Sequence, residues 1–176
     1  MPVIVELEGR SPRIAASAFI APNAVLVGDV DVGENASIWF GAVLRADFAP
    51  IRIGPGCSIQ DNVVAHADAP GAGLILEERV TVGHSAILHG AFIGRECLIG
   101  MGAILLSGSR IGAGSFVAAG SVVREGSTIP PNTLAAGNPA VSKKVLDGRA
   151  ADWVALAADE YVKLVLKYRN HSRHLS

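Results

Sequence analysis

Aliphatic residues recur at every sixth position through most of this chain. Ile20, Leu26, Val32, Ile38 and Leu44 set the phase. It resumes at Ile53 and Ile59, reaches Ala65, and returns at Leu76, Val82 and Leu88. One residue is then dropped, and the phase runs unbroken through Ile93, Ile99, Leu105, Ile111, Val117, Val123 and Ile129. Neither the helical nor the strand period explains this spacing. A six-residue unit does: a short strand followed by a corner. Three such units close one coil of triangular section, and each sixth aliphatic points inward onto the coil before it. The second position is often Gly, as at Gly33, Gly54, Gly83, Gly94, Gly100 and Gly112, and the fifth is often small, as at Ala36, Ala103 and Ser115. Small residues let the chain turn the corners. The expectation is an all-β solenoid, a parallel β-helix over roughly residues 14 to 135.

The repeat should stop near "IPPNTLAAGNPA", because Pro130-Pro131 cannot continue a strand ladder and Asn138-Pro139 is a turn signal. Beyond it, "ADWVALAADEYVKLVLKYR" places Val154, Ala158, Tyr161, Val165 and Tyr168 at three- and four-residue steps. That predicts one amphipathic helix of about 18 residues, packed back on a face of the prism. The chain thus divides into a β-helix unit, 1–140, and a helical unit with a short tail, 141–176.

Half the residues are apolar but few are aromatic, and 20 are Gly, which suits short strands and tight corners. A formal net charge of −1 exerts no general pull on nucleic acid or an acidic membrane surface, so neither is expected as a partner. No run reaches the roughly 18 apolar residues of a membrane span. The start of the chain, "MPVIVELEGRSPRI", lacks a signal-peptide pattern, so the expected location is cytoplasmic. The two cysteines, Cys57 and Cys97, lie in Gly-rich repeats and read as small buried fillers.

The stretch "VTVGHSAILHG" holds His84 and His89 at a spacing that fits one face of neither a helix nor a strand. Counting units around the prism resolves it. Leu44, Ala65 and Leu88 fall on face one, Ile53 and Leu76 on face two, Ile59 and Val82 on face three. His89 is then second in a face-one unit, and His66 holds the same place one coil earlier, with Arg45 one coil earlier still. These two histidines should stack at the usual strand spacing of about 4.8 Å. His84 is third in a face-three unit, one coil from Asp61. Two readings stay open at this point: structural histidines, or His66 and His89 as two ligands whose third, His84, comes from a neighbouring chain. A cyclic homotrimer would make three such sites, each with a fourth tetrahedral position left for water, the pattern of a catalytic zinc centre.

"LRADFAPIRIGPGCSIQDNVVAH" and "VTVGHSAILHGAFIGRECLIGMGAIL" resemble the γ-class carbonic anhydrases and their bacterial homologues, and the resemblance covers nearly the whole chain. Its specific marks are Arg45-x-Asp47, Gln60-Asp61-Asn62 and the spacing of His66, His84 and His89; generic hexapeptide-repeat proteins lack them. The resemblance implies a left-handed coil and a homotrimer, with His66, His84 and His89 as metal ligands. It implies that Gln60 hydrogen-bonds the metal-held water or hydroxide. It further implies that Asp61 and Arg45 pair across the subunit interface, with Asp47 beside that arginine. Tyr161 matches a helix tyrosine that reaches the site, although its spacing equally suits a core residue. Asn62 matches without an assignable role.

The activity so implied is reversible hydration of carbon dioxide to bicarbonate by a metal-held hydroxide. Zinc, iron and cobalt all suit imidazole ligands. Phe48 stands where the founding member of the family has a glutamate linked to proton transfer, and the insertion "ADAPGAG" (67–73) is short. Asp68 is its one acidic residue. The resemblance therefore implies intact ligands without implying fast turnover. Two further readings share the scaffold, since fold does not fix function: an acyl-CoA thioesterase or acyltransferase-like protein, and a non-catalytic trimer cemented by its metal or its charges.

Overall fold

The computed structural model describes residues 1–68 and 73–171. The chain winds as a left-handed parallel β-helix of about seven turns, followed by one helix. Three inward stacks fill its interior. On face one, Leu26, Leu44, Ala65, Leu88, Leu105 and Val123 lie in register. On face two, Val32, Ile53, Leu76, Ile93, Ile111 and Ile129 do so. Face three carries Ile20, Ile38, Ile59, Val82, Ile99, Val117 and Ala135. All these stacks but Ile20 are buried and belong to one continuous core. The six-residue period is thus the circumference of the prism read along the chain, and the dropped residue before Ile93 leaves the register unbroken.

The step from Leu44 to Ile53 is longer than the repeat. A single strand, Val43–Ile53, absorbs the excess by a register shift opposite Gly28 and Val30 in the Val25–Val32 strand. Such an irregularity bends the strand and re-aims its side chains, here at Asp47 and Phe48. The 67–73 insertion lies between the Val64–His66 and Leu74–Leu76 strands, and its residues 69–72 fall outside the described residues.

Two features lay outside the six-residue phase. Val3–Val5 adds a parallel strand beside Val25–Val27, ahead of the expected start. At the other end, the chain continues one strand past the prolines, because Pro130 and Pro131 fall at a corner. Thr133–Gly137 still pairs in parallel with Phe116 and Val117. Only then does it reverse, with Ala140–Val145 running antiparallel to Thr133–Gly137.

The helix spans Gly148–His171, 24 residues, longer than the apolar spacing implied. The chain enters it at Asp147, whose backbone carbonyl accepts the Ala150 N–H at 3.2 Å, so the first turn forms before the apolar stripe begins. Val154, Ala158 and Val165 are buried. Tyr161 and Tyr168 meet the Trp39 ring edge-on at 5.9 and 5.1 Å, and Arg79 donates to Asp159 at 2.7 Å. These contacts lay the helix along face three. No helix among the described residues is long and apolar enough to cross a membrane. Cys57 and Cys97 are buried, donate to the carbonyls of Glu77 and Gly112, and are pushed up to about 12 by burial, as fillers would be.

Candidate functional site

Parallel pairing sets His89 directly opposite His66, and His66 opposite Arg45. The two imidazoles tilt at 46° with centroids 5.2 Å apart, and His66 Nδ1 lies 3.2 Å from His89 Nε2. Their other nitrogens are also engaged. His66 Nε2 lies 2.7 Å from Asp47 Oδ1, and His89 Nδ1 lies 2.8 Å from Ser107 Oγ. Asp47 in turn pairs with Arg45. Burial first, and then the Arg45 cation, hold the His66 imidazole below its ordinary pKa, with Asp68 opposing. That direction favours the neutral imidazole, the form that can ligate a metal.

His84 stands apart from this pair. Ser85, in the left-handed region at φ 59°, turns the corner just after it. The chain then enters the Ile87–His89 strand on the next face. The His84 ring is 46% exposed, and its Nδ1 lies 2.7 Å from Asp61 Oδ2. The other carboxylate oxygen of Asp61 accepts the Phe40 N–H at 3.2 Å. Gln60 is buried, and its side-chain oxygen accepts the His84 N–H at 3.2 Å. Burial first, then the Asp61 charge, raises the Tyr161 phenol pKa, with Gln60 opposing.

One chain thus brings together His66, His89, Asp47 and Arg45 on face one, and His84, Gln60, Asp61 and Tyr161 on face three. Arg45 pairs with Asp47 and Asp61 with His84, so the charge groups of the two faces are satisfied separately within the chain. Among the described residues, no three His, Cys, Asp or Glu side chains converge as a metal-holding group. Asp68 lies 3.8 Å from His89 Nε2 and is half exposed. Phe48 is exposed and stands edge-on to His66, with ring centroids 6.1 Å apart.

Two residues gain an account that sequence alone did not supply. Asn62 is a corner residue at φ 58°, a conformation asparagine tolerates better than most. Ser107 bonds His89 from the next face-one unit, where it holds the third place; the coil count could have found it, but a lone serine carries no signal by type.

The bacterial transferase hexapeptide family (six repeats) matches residues 11–46 and 90–125. A carbonic anhydrase of Geobacillus kaustophilus is 53% identical over 138 residues, 78% of this chain and 75% of that protein. Gamma carbonic anhydrase 2, mitochondrial, of Arabidopsis thaliana is 38% identical over 160 residues, 88% of this chain and 58% of the plant protein. Among solved structures, a Bacillus cereus protein provisionally described as an acetyltransferase superposes with a TM-score of 0.94 at 43% identity, covering 97% of this chain and 99% of that one. Coil and repeat define a hexapeptide-repeat β-helix protein. Within that class the chain belongs to the γ-carbonic anhydrase-like family.

Proposed function

We propose that this chain is a metal-dependent carbonate dehydratase, which hydrates carbon dioxide to bicarbonate at sites shared between the subunits of a homotrimer. The observation that carries the reading is the His66–His89 pair. Bonds of about 2.0–2.1 Å at a tetrahedral angle hold two ligand nitrogens about 3.3 Å apart. The facing nitrogens here are 3.2 Å apart. Their outer nitrogens meet a carboxylate and a hydroxyl, partners of the kind that fix metal-ligating histidines. If His66 and His89 each donate outward, two bare lone pairs face one another, an arrangement that calls for a cation. In the metal-free protein Ser107 can donate instead, and His89 Nε2–H then bonds His66.

The third ligand in this reading is His84 of a neighbouring subunit. Its exposed ring, anchored through Nδ1 on Asp61, supports that role. Face one also presents an apolar outward row for a neighbour to cover. Val64 and Ile87 are exposed, and they lie in register with Val43, Ile104 and Val122. Arg45 and Asp61 would meet across that contact.

His66, His89 and the neighbour's His84 would hold a zinc, iron or cobalt ion, which would bring the ionisation of its water into the neutral range, as is known of zinc in carbonic anhydrases as a class. The chain supplies orientation and proton removal. Gln60, buried and tied to the His84 backbone, would hydrogen-bond the attacking oxygen. Asp68, 3.8 Å from His89 Nε2 and half exposed, is the candidate to carry the proton away. Metal analysis and stopped-flow hydration of wild type and His89→Ala test this reading. The expected result is stoichiometric metal and hydration in wild type and loss of both in the variant. Metal-free, inactive wild-type protein would sink it.

The description of the Bacillus cereus relative is consistent with a second reading, an acyltransferase or thioesterase on the same scaffold, without favouring it. Turnover of acetyl-CoA with no carbon dioxide hydration would select it.

A further inference from the structure

Between the helix and face three lies a cleft of about 350 Å³, which borders the proposed hydration site at Gln60, His84 and Tyr161 and extends beyond it. Its walls are apolar: Leu98 and Phe116 rise from the sheet, and Trp153 and Ala157 come from the helix. Gln60, Thr81, His84 and Tyr161 also line it. Carbon dioxide has three heavy atoms and needs no such volume, whereas ligand clefts start near 300 Å³.

Thr81 supplies the second observation. It is 2% exposed, and its Oγ1 has no hydrogen-bond partner among the described residues. Thr81 is in register with Leu98, and Leu98 with Phe116. The alternating row beside them, Val82, Ile99 and Val117, fills the core. By strand alternation the Thr81 side chain therefore points outward, to the side of the cleft. A buried hydroxyl left unpaired is costly, and a hydroxyl both donates and accepts.

The lining also limits charge. It holds no lysine or arginine, and Glu160 at its edge is paired with Lys163 at 2.8 Å. An anion would have to enter this apolar cleft with no lysine or arginine to pair with, His84 being the lining group nearest to a counter-charge.

We infer that this cleft is a binding site for an uncharged, largely apolar small molecule bearing one hydrogen-bonding group, which pairs with Thr81 Oγ1. The occupant lies beside Gln60 and His84, but its binding does not depend on the proposed hydration.

Benzyl alcohol, toluene and benzoate are suitable probes, titrated into the purified full-length protein by calorimetry and followed by Trp153 fluorescence. Benzyl alcohol should bind saturably, toluene about tenfold more weakly, and benzoate not at all. In Thr81→Val the alcohol should weaken to the level of toluene while toluene is unchanged. Ala157→Phe, which fills the cleft from the helix side, should abolish binding of both. The inference fails if wild type shows no saturable binding, or if it binds toluene as tightly as the alcohol. It fails equally if Thr81→Val keeps the preference, or if Ala157→Phe binds as wild type does. Because the readout is binding, a protein that hydrates no carbon dioxide still tests it.

Discussion

His66 and His89 are Cα partners in adjacent coils of the same face, and their side chains meet nitrogen to nitrogen at 3.2 Å. The outward bonds of the pair, to Asp47 and Ser107, decide which lone pairs face inward.

Removing one of those outward partners should loosen a bound ion without removing a ligand. Ser107→Ala is expected to weaken metal affinity by 10- to 100-fold, the usual range for such partners. Competition with a chromophoric chelator measures this. Unchanged affinity would mean that Ser107 does not orient His89.

Mixing two inactive variants offers a sharper test of the shared site. A His84→Ala chain keeps His66 and His89, while a His89→Ala chain keeps His84. Unfolded together and refolded, the mixture should form trimers containing some complete sites and recover a minor fraction of wild-type hydration. Each variant alone should recover none. No recovery, in a mixture shown by light scattering to be trimeric, would place all three ligands elsewhere than across an interface.

Gln60→Ala should separate orientation from binding. Metal content should hold near wild type while kcat falls by about 10- to 100-fold. A parallel loss of metal would instead make Gln60 a prop for His84, whose N–H it accepts.

Face two carries a charge ladder with a clear pH signature. Arg13, Asp31 and Arg52 are Cα partners in successive strands, and Asp29 accepts from both arginines. The Arg52 hydrogen bond chiefly, with help from Arg13, holds the Asp29 carboxyl below the usual carboxylate range. A depressed folded pKa means stability present above the unfolded value, about 3.9, and lost as pH falls through the folded one. Asp29→Asn should cost about 1 kcal/mol at pH 7. Urea titrations from pH 7 downward should show the gap narrowing below about pH 4. A constant gap would contradict an ionic origin.

The stacking of Leu44, Ala65 and Leu88 was legible in the chain because every coil must fill the same narrow section with one inward aliphatic. The same count put His84 and His89 on different faces and His66 under His89. It could not see Val3–Val5, which joins the sheet before the period begins, nor the reversal at Ala140–Val145, where no inward residue is demanded. Nor could it see Tyr161 lying against Trp39, since helix and sheet are far apart in sequence and their docking is set by shape. The unpaired Thr81 hydroxyl was hidden for a plainer reason: a threonine in a strand is ordinary until its surroundings are known.

The antiparallel turn-back at Thr133–Gly137 and Ala140–Val145 also bears on how the molecule ends. A parallel solenoid has no intrinsic stop, and its last coil offers unpaired backbone to any further strand. On face three that row is occupied by a strand of reversed direction carrying the exposed Lys143 and Lys144. On the other two faces the final strands, Val122–Val123 and Thr128–Ile129, are only two residues long. A strand added at this end would meet on face three a reversed edge bearing two exposed lysines, a charged edge of the kind that discourages further pairing. The turn-back thus guards the coil against growing into a fibre.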